Sequence, residues 1–447
     1  MMILKRIYLA LMGLLLLGYP YMMITYTHFT AYVVPVGIWV LRLCSAGLAI
    51  YLGKLWRDKG FLILCAYLLL IFLRVAIPNS AALFTGRFSE SILSGVWVFS
   101  ACYGLARILS PKEGKCFLRT CAAIWMIIMA TSSCVGIVAA WQHHRIYTWD
   151  DAAFWGLYPI RLMMPYLPTM SGSLVGFSIL IALCVIACEK NKAIRILSFI
   201  IVLPMMLALS LTDSRTSFIS TAFGVAVLCF LCMIYRNREL MAEKTANERP
   251  NVKKIIMSIA VSLVAMAGTV LVLMYLERGF HSLKLRGGLL ISNALAEAAE
   301  ESPVGRGFSG GSEALTGRYE FWIGIFRYLK QNPLTLLIGE GKADPISGIS
   351  RMLNSSMAHA HNMPLMILVE SGIPGLAIIA SFIVVSFKRI RKALYDSHSL
   401  YPAVLLAIVF AIVVGDLAEC FAWMASSYSP LLPFLLMAIG VLQVKQA

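Results

Sequence analysis

The sequence predicts a helical protein that crosses a membrane many times, and two observations carry this prediction. Hydrophobic residues make up 60% of the 447 residues and charged residues only 13%, roughly half of the ~25% that is usual in soluble domains. The apolar residues also lie in blocks of about 17 to 25, the length that a helix needs to cross ~30 Å of hydrocarbon. This composition excludes a soluble enzyme, a disordered chain and a nucleic-acid-binding domain.

Twelve such blocks are candidate membrane spans. By residue number they are 7–25, 31–53, 60–78, 91–109, 117–141, 169–188, 196–212, 217–235, 255–276, 363–387, 402–419 and 427–443. No repeat of 20–50 residues and no low-complexity linker separates them. Residues 1–447 are therefore predicted to form a single integral membrane domain.

The basic side chains predict the orientation of these spans. The net charge is +16, and Lys and Arg are densest in short connections such as 54–59, 236–254 and 388–392. Because Lys and Arg gather in cytoplasmic loops, both termini are predicted to be cytoplasmic. The excess positive charge is then explained by topology, without a nucleic-acid partner.

Two unusually long segments fall on the extracytoplasmic side in this topology. The first, 142–168, contains His143, His144, Asp150 and Asp151. The second, 277–362, precedes the tenth span and is far longer than an ordinary connection. It is predicted to contain an amphipathic helix around 318–331 and glycine-rich turns at 339–348. Long loops often carry function, so part of an active site is expected in 277–362, where no ATP pool is available.

Arg215 is the first candidate for a binding residue. It lies in a tight turn, Thr212-Asp213-Ser214-Arg215, between two predicted spans and at the outer membrane face. A charged residue at this depth is a functional candidate, and the planar guanidinium group matches phosphate oxygens in pairs. The alternative is that Arg215 pairs with Asp213 or reaches lipid headgroups.

A second group of candidates ends the long loop. His359, His361 and Asn362 come just before the tenth span, which contains Gly372 and Gly375 around a proline. Histidine gains and loses a proton near neutral pH, so His361 could take a proton from a sugar hydroxyl or could hydrogen-bond to a phosphate. The two glycines would kink the span and allow close helix approach. An ordinary interfacial loop is the alternative.

Arg318 is the third candidate, at the start of the amphipathic stretch. With Tyr319 and Trp322 beside it, Arg318 offers a fixed cation with aromatic neighbours, which suits a lipid-linked glycan. The same stretch suits simple anchoring at the bilayer surface.

No familiar metal or nucleotide motif accompanies these residues. The sequence has no D-x-D and no H-E-x-x-H, and Gly339-Glu340-Gly341-Lys342 lacks the spacing of a phosphate-binding P-loop. We therefore predict no cofactor and no metal. A glycan linked to a lipid diphosphate would already be activated for transfer. The transfer needs cations to stabilise the diphosphate leaving group and a base to take the proton of the acceptor hydroxyl. These candidates thus favour glycosyl transfer from a lipid carrier.

The candidates also resemble a known family. The run from His361 and Asn362 through nine residues to Gly372 and Gly375 resembles the signature of the O-antigen ligase and O-antigen polymerase superfamily, which are bacterial inner-membrane glycosyltransferases. Ser214-Arg215, Gly317-Arg318-x-x-x-Trp322 and the turn at Gly339 match the family's pattern in the same order. The resemblance covers the chain from about residue 196 to the C-terminus.

The resemblance implies a GT-C-like helical fold and an extracytoplasmic active site. It implies an undecaprenyl diphosphate-linked glycan as donor, and transfer without a metal and with inversion at the anomeric carbon. Arg215 and Arg318 would grip the diphosphate, and His361 would activate or orient the acceptor hydroxyl. The resemblance further implies supporting roles for Asn362, Glu370, Gly372, Gly375 and Asp416. They would bind the diphosphate or support the residues that contact the substrate.

The sequence leaves the acceptor open. A ligase moves the glycan to a sugar of the lipid A core, a polymerase moves it to the next lipid-linked repeat unit, and related enzymes glycosylate protein. A flippase or transporter of lipid-linked glycan is an alternative from another class, with Arg42 and Arg74 lining a path. Against a transporter, the sequence has no pair of similar six-span halves.

Overall fold

The structure is a computed structural model, and it describes most of the chain. The described residues are 2–18, 30–77, 86–142, 146–147, 154–158, 161–164, 168–242, 252–288, 318–340, 345–352, 360–395, 400–420 and 431–443. Of the predicted candidates, His143, His144, Asp150, Asp151, Gly317, Gly341 and His359 lie outside these residues.

Helices account for nearly all of the described residues. They are α1 (Met2–Gly13), α2 (Thr30–Gly53), α3 (Lys59–Ala76), α4 (Gly86–Trp97), α5 (Tyr103–Ile108), α6 (Pro111–Trp141), α7 (Pro168–Cys188), α8 (Lys192–Leu211), α9 (Arg215–Ala242), α10 (Val252–Gly288), α11 (Arg318–Gln331), α12 (Pro333–Ile338), α13 (Pro345–Met352), α14 (Met363–Tyr395), α15 (Tyr401–Asp416) and α16 (Leu431–Leu442). A π-helical turn, Val98–Cys102, joins α4 to α5.

Seven of the described helices are long and apolar enough to cross a membrane. They fall within α3, α6, α7, α8, α9, α10 and α14, and four shorter apolar helices accompany them: Gly37–Gly53, Ile92–Ile108, Tyr401–Asp416 and Leu431–Leu442. The predicted helical protein with several membrane-spanning helices is thus confirmed. A helix overlaps each of the twelve predicted spans, but the total of twelve stays a prediction.

The two long segments contain more regular structure than the sequence suggested. In 142–168, three short strands pair in antiparallel order: β1 (Ile146–Tyr147), β2 (Phe154–Tyr158) and β3 (Arg161–Met163). In 277–362, α10 continues to Gly288, and the predicted amphipathic helix is present as α11 with Phe321, Ile325 and Leu329 buried. Since these apolar residues recur every three or four positions, they line one helix face.

Helices α3 and α14 are held together at one end of the bundle by a buried carboxylate. Asp58, just before α3, accepts the backbone N–H of Phe61 at 3.1 Å and the hydroxyl of Tyr103 at 3.0 Å. It also pairs with Arg107 and with Arg389, whose Nη1 lies 3.2 Å from Oδ2. Burial alone would raise the pKa of Asp58, but the Phe61 N–H and the two guanidinium groups bring it below its usual value. Because Arg389 belongs to the far part of α14, the two helices run antiparallel.

Helix α14 is interrupted at Gly372, where the backbone has φ 64°. A second glycine in the left-handed region, Gly339 with φ 84°, lies against this point. A Cβ atom added to Gly372 would lie 2.6 Å from the backbone nitrogen of Ile338, and one added to Gly339 would lie 2.4 Å from the carbonyl oxygen of Glu370. The predicted kink in this span is therefore present. A turn of the long loop packs against it at Gly372, and the predicted close approach of another helix occurs at Gly375, which lies against Tyr67 of α3.

We expect Gly372→Ala to destabilise the protein and to disturb the loop. Alanine at this position combines a strained φ with backbone overlap, which costs about 1–3 kcal/mol or more. The measurement is the thermal unfolding midpoint of purified protein in detergent. Gly268→Ala in α10 is the matched control, because an added Cβ there meets nothing within 4 Å. Equal midpoints for the two variants would contradict the packing described here.

Candidate active site

Arg318 is held at the start of α11 by three groups from two other elements. Its Nη1 donates to Oγ1 of Thr216 in α9 at 3.1 Å and to the carbonyl oxygen of Ala418 at 3.0 Å. Its Nη2 forms an ion pair with Oε1 of Glu419. The long loop is thereby fixed to the ends of α9 and α15, and a permanent cation stands at this end of the bundle.

His361 shares the same carboxylate. Its Nδ1 lies 2.8 Å from Oε2 of Glu419, so one oxygen of Glu419 serves Arg318 and the other serves the imidazole. The backbone of His361 has φ 48°, a left-handed conformation that is uncommon and costly for a residue other than glycine. Strain of this kind collects at functional sites.

Glu419 is almost completely buried. Its side chain is 1% exposed, while those of Arg318 and His361 are 21% and 18% exposed. A carboxylate is costly to bury without partners, and breaking a buried pair by removing one member is strongly destabilising. Glu419 therefore links the cation and the histidine, which both remain partly open to a substrate.

Two further contacts fix the segment that carries His361. Trp322, one turn after Arg318 on α11, donates its indole N–H to the carbonyl oxygen of Ala360 at 2.8 Å. Asn362 accepts the backbone N–H of Leu365 at 2.9 Å and donates to the carbonyl oxygen of Leu417 at 2.8 Å. Asn362 thus caps α14, as asparagine commonly does, and ties it to the end of α15.

Arg215 lies beside this group, at the first position of α9. It follows a turn in which Asp213 has φ 45°. Glu277, a buried residue of α10, interacts electrostatically with Asp213 and with Arg215. The next residue after Arg215 is Thr216, the partner of Arg318. Both predicted phosphate-binding arginines therefore belong to the same end of the bundle.

Three acidic residues act electrostatically on the buried thiol of Cys420. Burial raises the pKa of this thiol, and the charges of Asp416, Glu419 and Glu370 raise it further. The cysteine therefore stays neutral and acts as a small apolar residue. Glu370 itself accepts the hydroxyl of Tyr67 at 3.1 Å, so it belongs to the same region as Glu419 while bonding to a different helix.

Asp416 lines a small cavity between α7, α9 and α15. The cavity has a volume of about 30 Å³, which is enough for about one or two water molecules. Its polar lining consists of Ser173, Ser220, Thr221 and Asp416. Asp416 is 3% exposed and is the last residue of α15, three residues before Glu419.

The structure brings most of the predicted site residues together. Arg318 and His361 share Glu419, Asn362 bonds to Leu417 two residues before it, and Arg215 precedes the Thr216 partner of Arg318. Asp416, three residues before Glu419, lines the separate small cavity. Gly372 and Gly375 instead pack against the Gly339 turn and the ring of Tyr67, and their predicted role in substrate binding stays a prediction. In the described part of the chain, no group of three or more His, Cys, Asp and Glu side chains is arranged to hold a metal ion.

Sequence reasoning missed Glu419. Only two acidic residues, Asp416 and Glu419, follow residue 400, and the family resemblance pointed to the first. Glu419 itself was the signal that could have been used, since an acidic residue close to the end of an apolar span requires a partner. The roles of all these residues stay predictions.

The fold and this end of the bundle define a polytopic helical membrane protein with a buried carboxylate between an arginine and a histidine. Residues 199–380 match the sequence model of the O-antigen ligase family (Wzy_C). The predicted resemblance to this superfamily is thus confirmed over that stretch, which contains Arg215, Arg318 and His361. A comparison with curated proteins finds no match. The family match supports a membrane glycosyltransferase of the O-antigen ligase or polymerase type.

Proposed function

We propose that the protein transfers a glycan from undecaprenyl diphosphate to a hydroxyl group of an acceptor glycan during assembly of a surface polysaccharide. The observation that carries this proposal is the carboxylate of Glu419, which contacts both Arg318 and His361. Arg215 belongs to the same end of the bundle. A cation and a base side by side are the two groups that such a transfer requires.

The arginines bind the leaving group in this proposal. As the bond between the anomeric carbon and the diphosphate oxygen breaks, negative charge grows on the diphosphate, and positioned cations stabilise it. Arg318 presents a planar guanidinium group that can meet two phosphate oxygens at once, and Arg215 adds a second. Because these two groups supply the positive charge, we propose a transfer that proceeds without a divalent metal.

His361 takes the proton of the acceptor. With Nδ1–H donating to Glu419, Nε2 is the basic nitrogen, and it receives the proton as the acceptor oxygen bonds to the anomeric carbon. Glu419 holds the ring in this tautomer and stabilises the imidazolium that forms. Attack from the face opposite the departing diphosphate inverts the anomeric configuration.

The predicted topology implies on which side of the membrane this reaction would occur. We propose that the protein lies in a bacterial inner membrane with both termini in the cytoplasm and with a GT-C-like arrangement of spans. The Arg318 end of the bundle then faces the extracytoplasmic side, where lipid-linked glycan is presented. The antiparallel course of α3 and α14 is consistent with the predicted directions of those spans.

The test is a transfer assay with purified protein, undecaprenyl diphosphate-linked repeat units and EDTA, run with and without lipid A core. Product that requires lipid A core identifies a ligase, and a ladder without it identifies a polymerase. Loss of transfer in EDTA that added Mg²⁺ restores would overturn the metal-independent mechanism. Absence of glycan transfer to either acceptor, and to protein, would favour the transporter.

The two arginines that could have lined a transport path have packing roles. Arg42 in α2 is 1% exposed, donates to Oγ of Ser94 at 3.0 Å and lies between the rings of Trp39 and Trp97, 4.6 and 4.9 Å from their centres. Arg74 donates to the carbonyl oxygen of Gly339 at 2.8 Å. These contacts favour the transferase over the transporter.

A further inference from the structure

Helix α3 lies outside the stretch that matches the O-antigen ligase family, yet it contacts α14, the helix that follows His361, along its length. The Asp58 pairing with Arg389 joins the two helices at one end. Two more polar contacts follow along the same face of α3, from Tyr67 and from Arg74, which are seven residues apart and so lie two helical turns from each other.

The first of these contacts is in the middle of α3. Tyr67 is fully buried and donates its hydroxyl to Oε2 of Glu370 at 3.1 Å, and Ser371 lies 3.4 Å from the same hydroxyl. Gly375 lies close to both side chains: a Cβ there would lie 1.8 Å from Oγ of Ser371 and 3.2 Å from Cε2 of Tyr67. Tyr67 therefore contacts α14 on both sides of its interruption at Gly372.

The second contact is at the end of α3. Arg74 donates from Nη2 to the carbonyl oxygen of Gly339 at 2.8 Å, and Gly339 packs against the backbone of Glu370 and Ser371. The neighbouring Glu340 donates its backbone N–H to the carbonyl oxygen of Val369 at 2.8 Å. Arg74 thereby holds the Gly339 turn against the interruption of α14.

The Gly339 turn is also held from its other side. The carboxylate of Glu340 accepts the hydroxyl of Tyr328 at 2.7 Å and that of Thr335 at 3.1 Å. Burial and this carboxylate raise the pKa of Tyr328 to about 12, so the phenol keeps its proton and remains a donor. The Gly339 turn is thus held by contacts with α3, α11 and α14.

These contacts end on the short helical segment that follows His361 and Asn362. Residues 363–371 form the part of α14 before the interruption, with His361 and Asn362 at one end and Glu370 and Ser371 at the other. An interrupted helix has two halves that can tilt independently. The position of the first half is therefore set by what holds its ends, which are Asn362 at one end and the α3 contacts at the other.

We infer that Tyr67 and Arg74 are positioning residues of the active site, which hold the segment 363–371 at the tilt that places the His361 imidazole between Glu419 and the acceptor. The inference rests on the proposed function for its kinetic consequence. A displacement of about 1 Å in a reacting group can lower a rate by about 100-fold, so contacts remote from the chemistry can carry a large effect.

The test uses variants that remove one contact each. Tyr67→Phe keeps the ring and removes the hydroxyl, and Arg74→Met keeps the chain length and removes the donor, whereas Arg74→Lys keeps a donor. Tyr51→Phe and Arg57→Gln are the controls, because both residues are exposed on neighbouring parts of the chain. Full-length variants are purified, and their thermal midpoints identify any that are unfolded.

In the transfer assay we expect Tyr67→Phe and Arg74→Met to lower kcat by about 10- to 100-fold with KM for the donor little changed. Arg74→Lys should recover most of the rate, and both controls should match the wild type. In a His361→Ala background, Tyr67→Phe should lower kcat little further, because the effects of residues that act through one another are not additive. A full additional loss in that background, or wild-type kcat in the two single variants, would overturn the inference.

Hydrogen exchange separates this inference from the proposed function. Measured by mass spectrometry without substrate, amides of 363–371 should exchange faster in Tyr67→Phe than in the wild type or in Tyr51→Phe, since local opening becomes easier. Unchanged exchange would overturn the inference even in an active enzyme. Faster exchange in a protein that transfers no glycan would reject the proposed function and leave the structural coupling in place.

Discussion

Arg318→Ala should lower transfer by about 1,000-fold or more, and it should also lower the thermal midpoint of the protein, because Glu419 loses its cation. Removal of a single group that stabilises charge in a transition state costs about 100- to 1,000-fold in rate, and here the change also leaves Glu419 buried without its cation. The measurement is the initial rate of transfer from undecaprenyl diphosphate-linked glycan, with the amount of protein in the membrane normalised.

Arg327→Ala is the matched control for this variant. Arg327 lies on the same helix but is exposed, so its removal should leave transfer near the wild-type rate. Arg318→Lys keeps the charge without the planar fork and should give an intermediate rate. An Arg318→Ala protein with the activity of Arg327→Ala would remove Arg318 from the active site.

Glu419→Gln should lower transfer by about 100-fold or more, with the larger effect on kcat. The amide has nearly the same shape as the carboxylate, but it neither neutralises Arg318 nor stabilises an imidazolium at His361. A general base contributes about 100- to 10,000-fold, and much of that contribution is lost when its orienting partner is changed. The measurement is kcat and KM for donor and acceptor in the purified enzyme.

Glu320→Gln provides the control, because Glu320 is exposed and lies only two residues from Arg318. Asp416→Asn should be compared in the same assay, since Asp416 was the acid chosen from the sequence. A wild-type rate for Glu419→Gln together with a large loss for Asp416→Asn would move the acidic role from Glu419 to Asp416.

Much of the helical scaffold could be predicted from the sequence because it depends on local composition. Blocks of about 20 apolar residues predicted helices, and the observed α6, α7, α8 and α14 overlap those blocks. The amphipathic pattern around 318–331 likewise predicted α11. Both signals repeat within one element, so no knowledge of distant contacts was required.

The partners within the candidate site could not be predicted in the same way. Glu419 meets Arg318 across 101 residues and His361 across 58, and nothing in the local pattern around 416–420 distinguishes one acid from the other. The left-handed backbone of His361 is equally invisible, because histidine has no strong preference for it. The family resemblance pointed to Arg318 and His361, whereas the carboxylate between them required the folded chain.

The glycines are an instructive intermediate case. Gly372 and Gly375 with the intervening proline correctly indicated an interruption of α14, since these residues weaken a helix. The expected close approach of a helix is present at Gly375, which lies against Tyr67 of α3, whereas at Gly372 the Gly339 turn of the loop packs against the backbone. Sequence spacing marks where a backbone can be approached, but it does not say which part of the chain approaches it.

The ion pair between Glu419 and Arg318 has a consequence for turnover. Arg318 is already paired with an anion that belongs to the protein itself, so under the proposed function a diphosphate that binds Arg318 would exchange places with a carboxylate. This exchange would weaken the initial capture of the donor. After the proposed transfer, return of Glu419 to Arg318 would compete with the spent lipid diphosphate and speed the departure of a product that two arginines would otherwise retain.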